Sequence, residues 1–257
     1  GAGIRGLLIT LPGLLEDLAA LNDGTRNDVR PYPWCIRGGG RGVYVVDVTF
    51  KVAWNSIDFG SARCDNHLVR NVWGTVARRG IRAGAGSRDG HLERVAFDIG
   101  PSGLKPNSAA NRFLHDNAET FLFGDCEGQR TFGLSTFHPR IHVRLYSQNG
   151  RGCRNAEFWS SVFDVSRDAG IDVEQAENVD FLGLFLTGKG DGTRNWIELA
   201  DSVEGPVRVL APQIQQTYQN HGLPLETGRL RVLQERSLCQ RTGVTVEATE
   251  AGAAAAS

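Results

Sequence analysis

Methionine is absent from all 257 residues, lysine occurs three times, and no apolar run is long. With no initiator Met and no signal-peptide pattern, the chain reads as a mature or trimmed piece of a secreted protein. No stretch approaches the roughly 20 apolar residues that span a bilayer, so no membrane-crossing helix and no membrane partner are expected. The net charge is −1, which argues against a general polyanion binder, so no nucleic-acid partner is expected. Cys35, Cys64, Cys126, Cys153 and Cys239 show no CxxC spacing, which argues against zinc, and no other metal or cofactor is expected. Five cysteines cannot all pair within the chain; one disulfide and a set of buried thiols are both open readings. Arginine outnumbers lysine 25 to 3. A GC-rich coding sequence explains this, and so does a use of guanidinium groups for the carboxylates or sulfates of an acidic polymer.

What the chain does have is repetition. Laying Ile57 to Arg70 over Ile81 to Arg94, an offset of 24, matches six of 14 positions, where composition alone gives about one. The matches are Ile57/Ile81, Gly60/Gly84, Asp65/Asp89, His67/His91, Leu68/Leu92 and Arg70/Arg94. A period of this size marks stacked units that bury their apolar faces on each other. Each unit holds an apolar, polar, apolar triplet, the mark of a short strand with one face inward. The triplets begin at Ile57, Ile81, Val143, Ile171 and Ile197. The gap of 62 before Val143 closes if Phe121, Leu122, Phe123 is another strand, with an insertion over 100–118. A second apolar stretch follows in several units: Leu92, Val95, Phe97; Val179, Phe181; Val207, Val209. Short strands joined by Gly, Asn and Asp turns describe an all-β fold, a parallel β-helix solenoid.

The segments GIDVEQAENVDFLGLFLTGKG (170–190) and GIRAGAGSRDGHLERVAFDIG (80–100) resemble rungs of the right-handed parallel β-helix proteins, the pectin-lyase-like superfamily. The resemblance covers roughly residues 43–210 and implies that fold, in a superfamily of carbohydrate-active proteins. Neither the polygalacturonase motifs nor the pectate lyase calcium set is present. Residues 1–243 read as one β-helix domain. Residues 11–42 read as an insertion, with a short amphipathic helix from the spacing of Leu14, Leu15, Leu18 and Leu21. Residues 244–257 read as an edge strand and a disordered tail. The strand at Ile4 to Thr10 exposes an edge, so an N-terminal segment, another chain or a second copy is expected to cover the first coil.

If Ile57, Ile81, Val143, Ile171 and Ile197 point inward, Asp58, Arg82, Arg144, Asp172 and Glu198 form an outward column, about 4.8 Å apart in adjacent rungs. Glu174 shares the face of Asp172. Glycoside hydrolysis needs two carboxylates about 5 Å apart for retention or about 6.5 to 9.5 Å for inversion, which Asp172, Glu174 and Glu198 can supply. A secreted glycoside hydrolase acting on a poly- or oligosaccharide is therefore expected. Asp58, Arg82, His142, Arg144, Trp34 and Trp196 are the candidate substrate-binding residues. Trp54 is a further candidate for stacking on a sugar ring, whereas Trp73 and Trp159 read as core. Two other readings stand beside it. His138, Arg140, His142, Arg144 and Tyr146 break the repeat and suit a polysaccharide lyase on an acidic glycan. A non-catalytic, tailspike-like solenoid would use the column only as a wet face of ion pairs. His67 and His91, with Asp65 and Asp89, read as a turn ladder. Asp125 and Glu127 offer a weak Ca²⁺ signal.

Overall fold

The computed structural model describes residues 1–98, 100–105, 107–189, 195–203 and 205–210, with the strands Gln213–Gln215 and Leu230–Val232. The expected tail over 244–257 and Cys239 lie outside the described residues. Among the described residues, nineteen strands join one parallel sheet that curls round an axis. Two helices, Pro12–Asn22 and Ala109–Asn117, are the only α-helices among the described residues.

The sheet is built from parallel ladders. In one, Ile36 pairs with Ile57, Ile57 with Ile81, Ile81 with Phe121, Phe121 with Val143, Val143 with Ile171, and Ile171 with Ile197. This is the series the triplets predict, with Phe121 in the vacant place and Ile36 adding a row before it. These side chains are all buried, as period-two burial requires. A second ladder carries the other apolar stretches: Val69 pairs with Leu92, Val179 with Val207 and Phe181 with Val209. Inside, three phenylalanines meet in line: Phe123 meets Phe158 edge-to-face with ring centroids 5.3 Å apart, and Phe158 stacks on Phe181 at 4.6 Å.

The chain turns corners through left-handed backbone. Gly6, Asp47, Asn71, Arg94, Gly133, Ser160 and Gly183 all have positive φ, and so do Gly42, Asn66, Asp89, Gly128, Asn155 and Asn178. Asn tolerates this conformation better than other non-glycine residues. Its side chain also links the rows: Asn71 Nδ2 donates to Asp47 at 2.8 Å, and Asn71 Oδ1 accepts from Arg94 Nε at 2.8 Å.

These corners correct the expected histidine ladder. Ile57 and Ile81 are 24 apart, but beyond them the pairing drops to 23, so His91 lies opposite Leu68 and not opposite His67. His67 is buried, with Nδ1 2.7 Å from the Cys64 carbonyl and its ring on Phe59.

Only part of the segment 11–42 departs from the ladders. Trp34–Arg37 and Gly40–Arg41 are paired strands. The helix Pro12–Asn22 buries Leu14 and Leu18 in a satellite cluster with Val52 and Ala77, and with Ala110 and Leu114 of the helix Ala109–Asn117. Asp17, on the same helix, is buried and receives Arg30 Nε at 2.9 Å and Tyr32 OH at 3.0 Å. The Arg30 guanidinium holds the Asp17 carboxyl down to about 2 against the opposing effect of burial. The loop that leads into Trp34 is thereby tied to the helix.

Candidate active face

The ladder of triplets places residues 37, 58, 82, 122, 144, 172 and 198 in one row across successive strands. Asp58, Arg82, Arg144, Asp172 and Glu198 therefore share a face, with Leu122 between Arg82 and Arg144. Their environments differ along the row.

At one end the Asp58 side chain has no exposed surface. Arg82 grips it with Nε at 2.9 Å and Nη2 at 3.0 Å, and the N–H of Gly60 donates to it at 2.8 Å. Burial, the largest influence on Asp58, opposes ionisation; hydrogen bonds from Arg82, Ser61 and Gly60 outweigh it and leave the carboxyl below its usual range. Arg82 in turn lies 5.0 Å from the ring centroid of Trp34. Asp58 thus orients Arg82, and its carboxylate is not open to a ligand.

At the other end Arg144 is the hub. Its Nε is 3.0 Å from Glu174 and 3.5 Å from Asp172, and its Nη1 is 3.0 Å from Glu119. Arg140 also binds Glu119, and it reaches Asp168 at 2.9 Å. Burial raises Asp172 above the ordinary carboxylate range; Arg144 pulls it down, and Glu174 and Glu198 push it up again. The Asp172 side chain is 23% exposed and that of Glu174 35%, so both reach solvent from a partly dried setting.

Two expected ligand-binding residues are inside the molecule. Strict alternation fails in this ladder: Thr120 and Phe121, His142 and Val143, Trp196 and Ile197 are consecutive buried pairs. Trp196 is 1% exposed and belongs to the core, so it offers no ring to a sugar. His142 has no exposed surface, shares a hydrogen bond with Thr136 and stacks on Phe163 at 5.1 Å. Burial depresses its pKa to about 3. It is a neutral core ring with no reach to the face. The reverse correction applies to Trp73 and Trp159, which read as core but are 46% and 43% exposed.

Because two consecutive residues turn in, residues three apart share the outer face. Arg79 and Glu119, three before Arg82 and Leu122, join the row on the wall of a cavity of about 210 Å³ with Arg82, Arg144, Tyr146 and Glu174. The sequence carried one sign of them: Asn55, Arg79 and Glu119 each stand two residues before a triplet. Tyr146 leans back over the preceding rows. A Cβ on Gly124 would fall 2.6 Å from its Cζ, and one on Gly84 would fall 3.3 Å from its hydroxyl and 2.1 Å from Gln148 Oε1. Glycine at these two positions is what admits the loop. Gln148 then fixes it, accepting from the Ala85 N–H at 2.8 Å and donating to the Gly60 carbonyl at 3.0 Å.

Asp125 and Glu127 face Arg154, at 3.2 Å and 3.9 Å, and Glu127 also faces Arg88 at 3.6 Å. Their charge is answered by arginine, and among the described residues no three or more His, Cys, Asp or Glu side chains are grouped to hold a metal ion. No protein-family model, no curated protein and no solved structure matches the chain.

Proposed function

We propose that the chain is a right-handed parallel β-helix of the pectin-lyase-like kind and a secreted glycoside hydrolase, with its site on the Arg144 face. The fold reading is supported by the in-register parallel ladders, the left-handed corners that recur from row to row and the line of phenylalanine contacts inside. The observation that carries the function is the pairing of Asp172 and Glu198 on adjacent strands, with Glu174 in the bend just after the Asp172 strand and Asp172 raised by burial beside the two other carboxylates.

A glycosidase needs one carboxyl that keeps its proton and one that does not, and a difference of environment supplies it. Asp172 is the acid, giving its proton to the departing glycosidic oxygen. Glu198 or Glu174 is the partner that activates water or attacks the sugar. Arg144, donating to Glu174, fixes that carboxylate's orientation. The lyase alternative loses its histidine to the core. Its tyrosine is also poorly placed as a base, since burial pushes Tyr146 up to about 12.

Asp172→Asn tests the assignment with two readouts. It abolishes release of reducing ends, and it raises stability at neutral pH. The sign follows from linkage: the folded pKa lies above 3.8, so between 3.8 and that raised value the folded chain holds a proton the unfolded chain has lost. Stability falls as pH rises through this window, and the amide escapes the loss. Undiminished hydrolysis by the variant would refute the role of Asp172.

A further inference from the structure

One cation on the wall of this cavity has no ion-pair partner among the described residues. Arg82 is answered by Asp58, and Arg144 by Glu119 and Glu174. Glu119 is already shared with Arg140. Arg79 makes no ion pair or hydrogen bond with any described residue, and its Nε is buried without a partner. The Tyr146 hydroxyl, on the same cavity wall, is likewise buried and unpartnered. Burial lowers the Arg79 pKa, and Arg82, Arg78 and Arg144 lower it further, so this cation sits half-dry among other cations. A water molecule can satisfy an N–H but not the charge. Buried charges are tolerated when they are paired and hydrogen-bonded, and a partner missing among the described residues points to a ligand that supplies it.

We infer that Arg79 and Tyr146 form a subsite for an oxyanion carried on a sugar, a carboxylate or a sulfate ester, held beside the Asp172 cluster. The guanidinium presents parallel N–H donors that match two oxygens of such a group, and the tyrosine hydroxyl donates a third hydrogen bond. Leu122 and Arg144 line the same cavity, so the sugar ring bearing the anion lies next to the row that holds Asp172. This deepens the hydrolase reading by naming an acidic glycan as its substrate class. The anion site itself stands on the unpaired arginine and not on catalysis.

The test is calorimetric titration of the full chain carrying Asp172→Asn, so that turnover plays no part, with three probes of equal length. These are an oligogalacturonide, its methyl ester and a sulfated galactan oligosaccharide. At least one acidic probe binds, and the neutral ester binds at least about tenfold more weakly, as expected from loss of a charged hydrogen-bonded pair. Which acidic probe binds tells carboxylate from sulfate. Adding Arg79→Gln weakens the acidic probe by at least about tenfold and brings it level with the ester; Tyr146→Phe weakens it less, and Arg79→Lys recovers part of the loss. Unliganded Arg79→Gln melts at a higher temperature than its parent, because an unpaired cation has gone. Equal affinity for acidic and neutral probes, no binding of any acidic probe, an Arg79→Gln chain that binds as its parent does, or a lower melting temperature would each overturn the subsite. Acidic binding that survives while cleavage is never seen would refute the hydrolase reading and leave the subsite intact.

Discussion

His142 illustrates how far a residue's role depends on one turn of the backbone. Two positions before Arg144 it belongs on the wet face by alternation, and the sequence offers no sign of the consecutive inward pair that sends it into the core. Its burial has a pH consequence. The unfolded histidine titrates near 6.5 and the folded one near 3, so between those values the unfolded chain binds a proton that the folded chain refuses. Stability is full above about pH 6.5 and falls as pH drops toward 3. His142 alone removes about 2 kcal/mol between pH 7 and pH 5. His138, lowered to about 4 by burial and by His115, adds to the same slope. Urea unfolding at the two pH values checks this: His142→Gln makes the difference smaller by about that amount, and an unchanged difference would mean that His142 is not the buried titrating group. Asp172, Glu198, Asp58, Arg82 and Arg144 were legible as a shared row because a triplet fixes which residue faces out. Trp73, Trp159 and Trp196 were not, since a tryptophan fits either side of a strand and composition does not say which.

At the scale of the strand and corner, the repeat was legible but its register was not fully so. Matches at offset 24 recur from Ile57 to Arg70, yet the second half pairs at 23 because the corner before it is one residue shorter in the later row. A one-residue slip moves every side chain to the other face, so only the structure separates a buried His67 from a half-exposed His91. The corners themselves follow from residue type. Asn71 has φ 52° and joins three rows through its side chain. Asn71→Ala loses both hydrogen bonds and a tolerated left-handed residue, at a cost of about 1 to 2 kcal/mol, while Asn71→Gly loses less because glycine keeps the conformation. Denaturant midpoints of the two variants rank them; alanine as stable as glycine would contradict the corner account. The helices Pro12–Asn22 and Ala109–Asn117 were signalled unequally, the first by leucine spacing and the second only as a gap in the strand series.

Across the whole molecule, rows add to a common core, and each aromatic ring is shared with the next row. Phe181 is fully buried between Phe158 and the pair formed with Val209. Phe181→Ala opens that stack and costs about 3 to 5 kcal/mol, with loss of a single cooperative transition if the later rows melt first. Calorimetry reports both. Curling of the ladders round one axis sets the carboxylates and Arg79, which has no partner among the described residues, on the same side, which no single segment of sequence displays. Legibility was greatest for what repeats and least for Arg79 and Glu119, which reach the face only through the broken alternation.

The hydrolase reading is tested most directly by a panel of neutral, uronic and sulfated polysaccharides incubated with the wild-type chain, Asp172→Asn, Glu198→Gln and Glu174→Gln. Products are read both as reducing ends and as the ultraviolet absorbance of unsaturated uronic acids. Expected are reducing ends without that absorbance, on an acidic polymer, abolished by Asp172→Asn and cut at least about a hundredfold by substitution of the partner carboxylate, Glu198→Gln or Glu174→Gln. Absorbance from unsaturated products, undiminished release by the Asp172 variant, or silence on every polymer would contradict the reading.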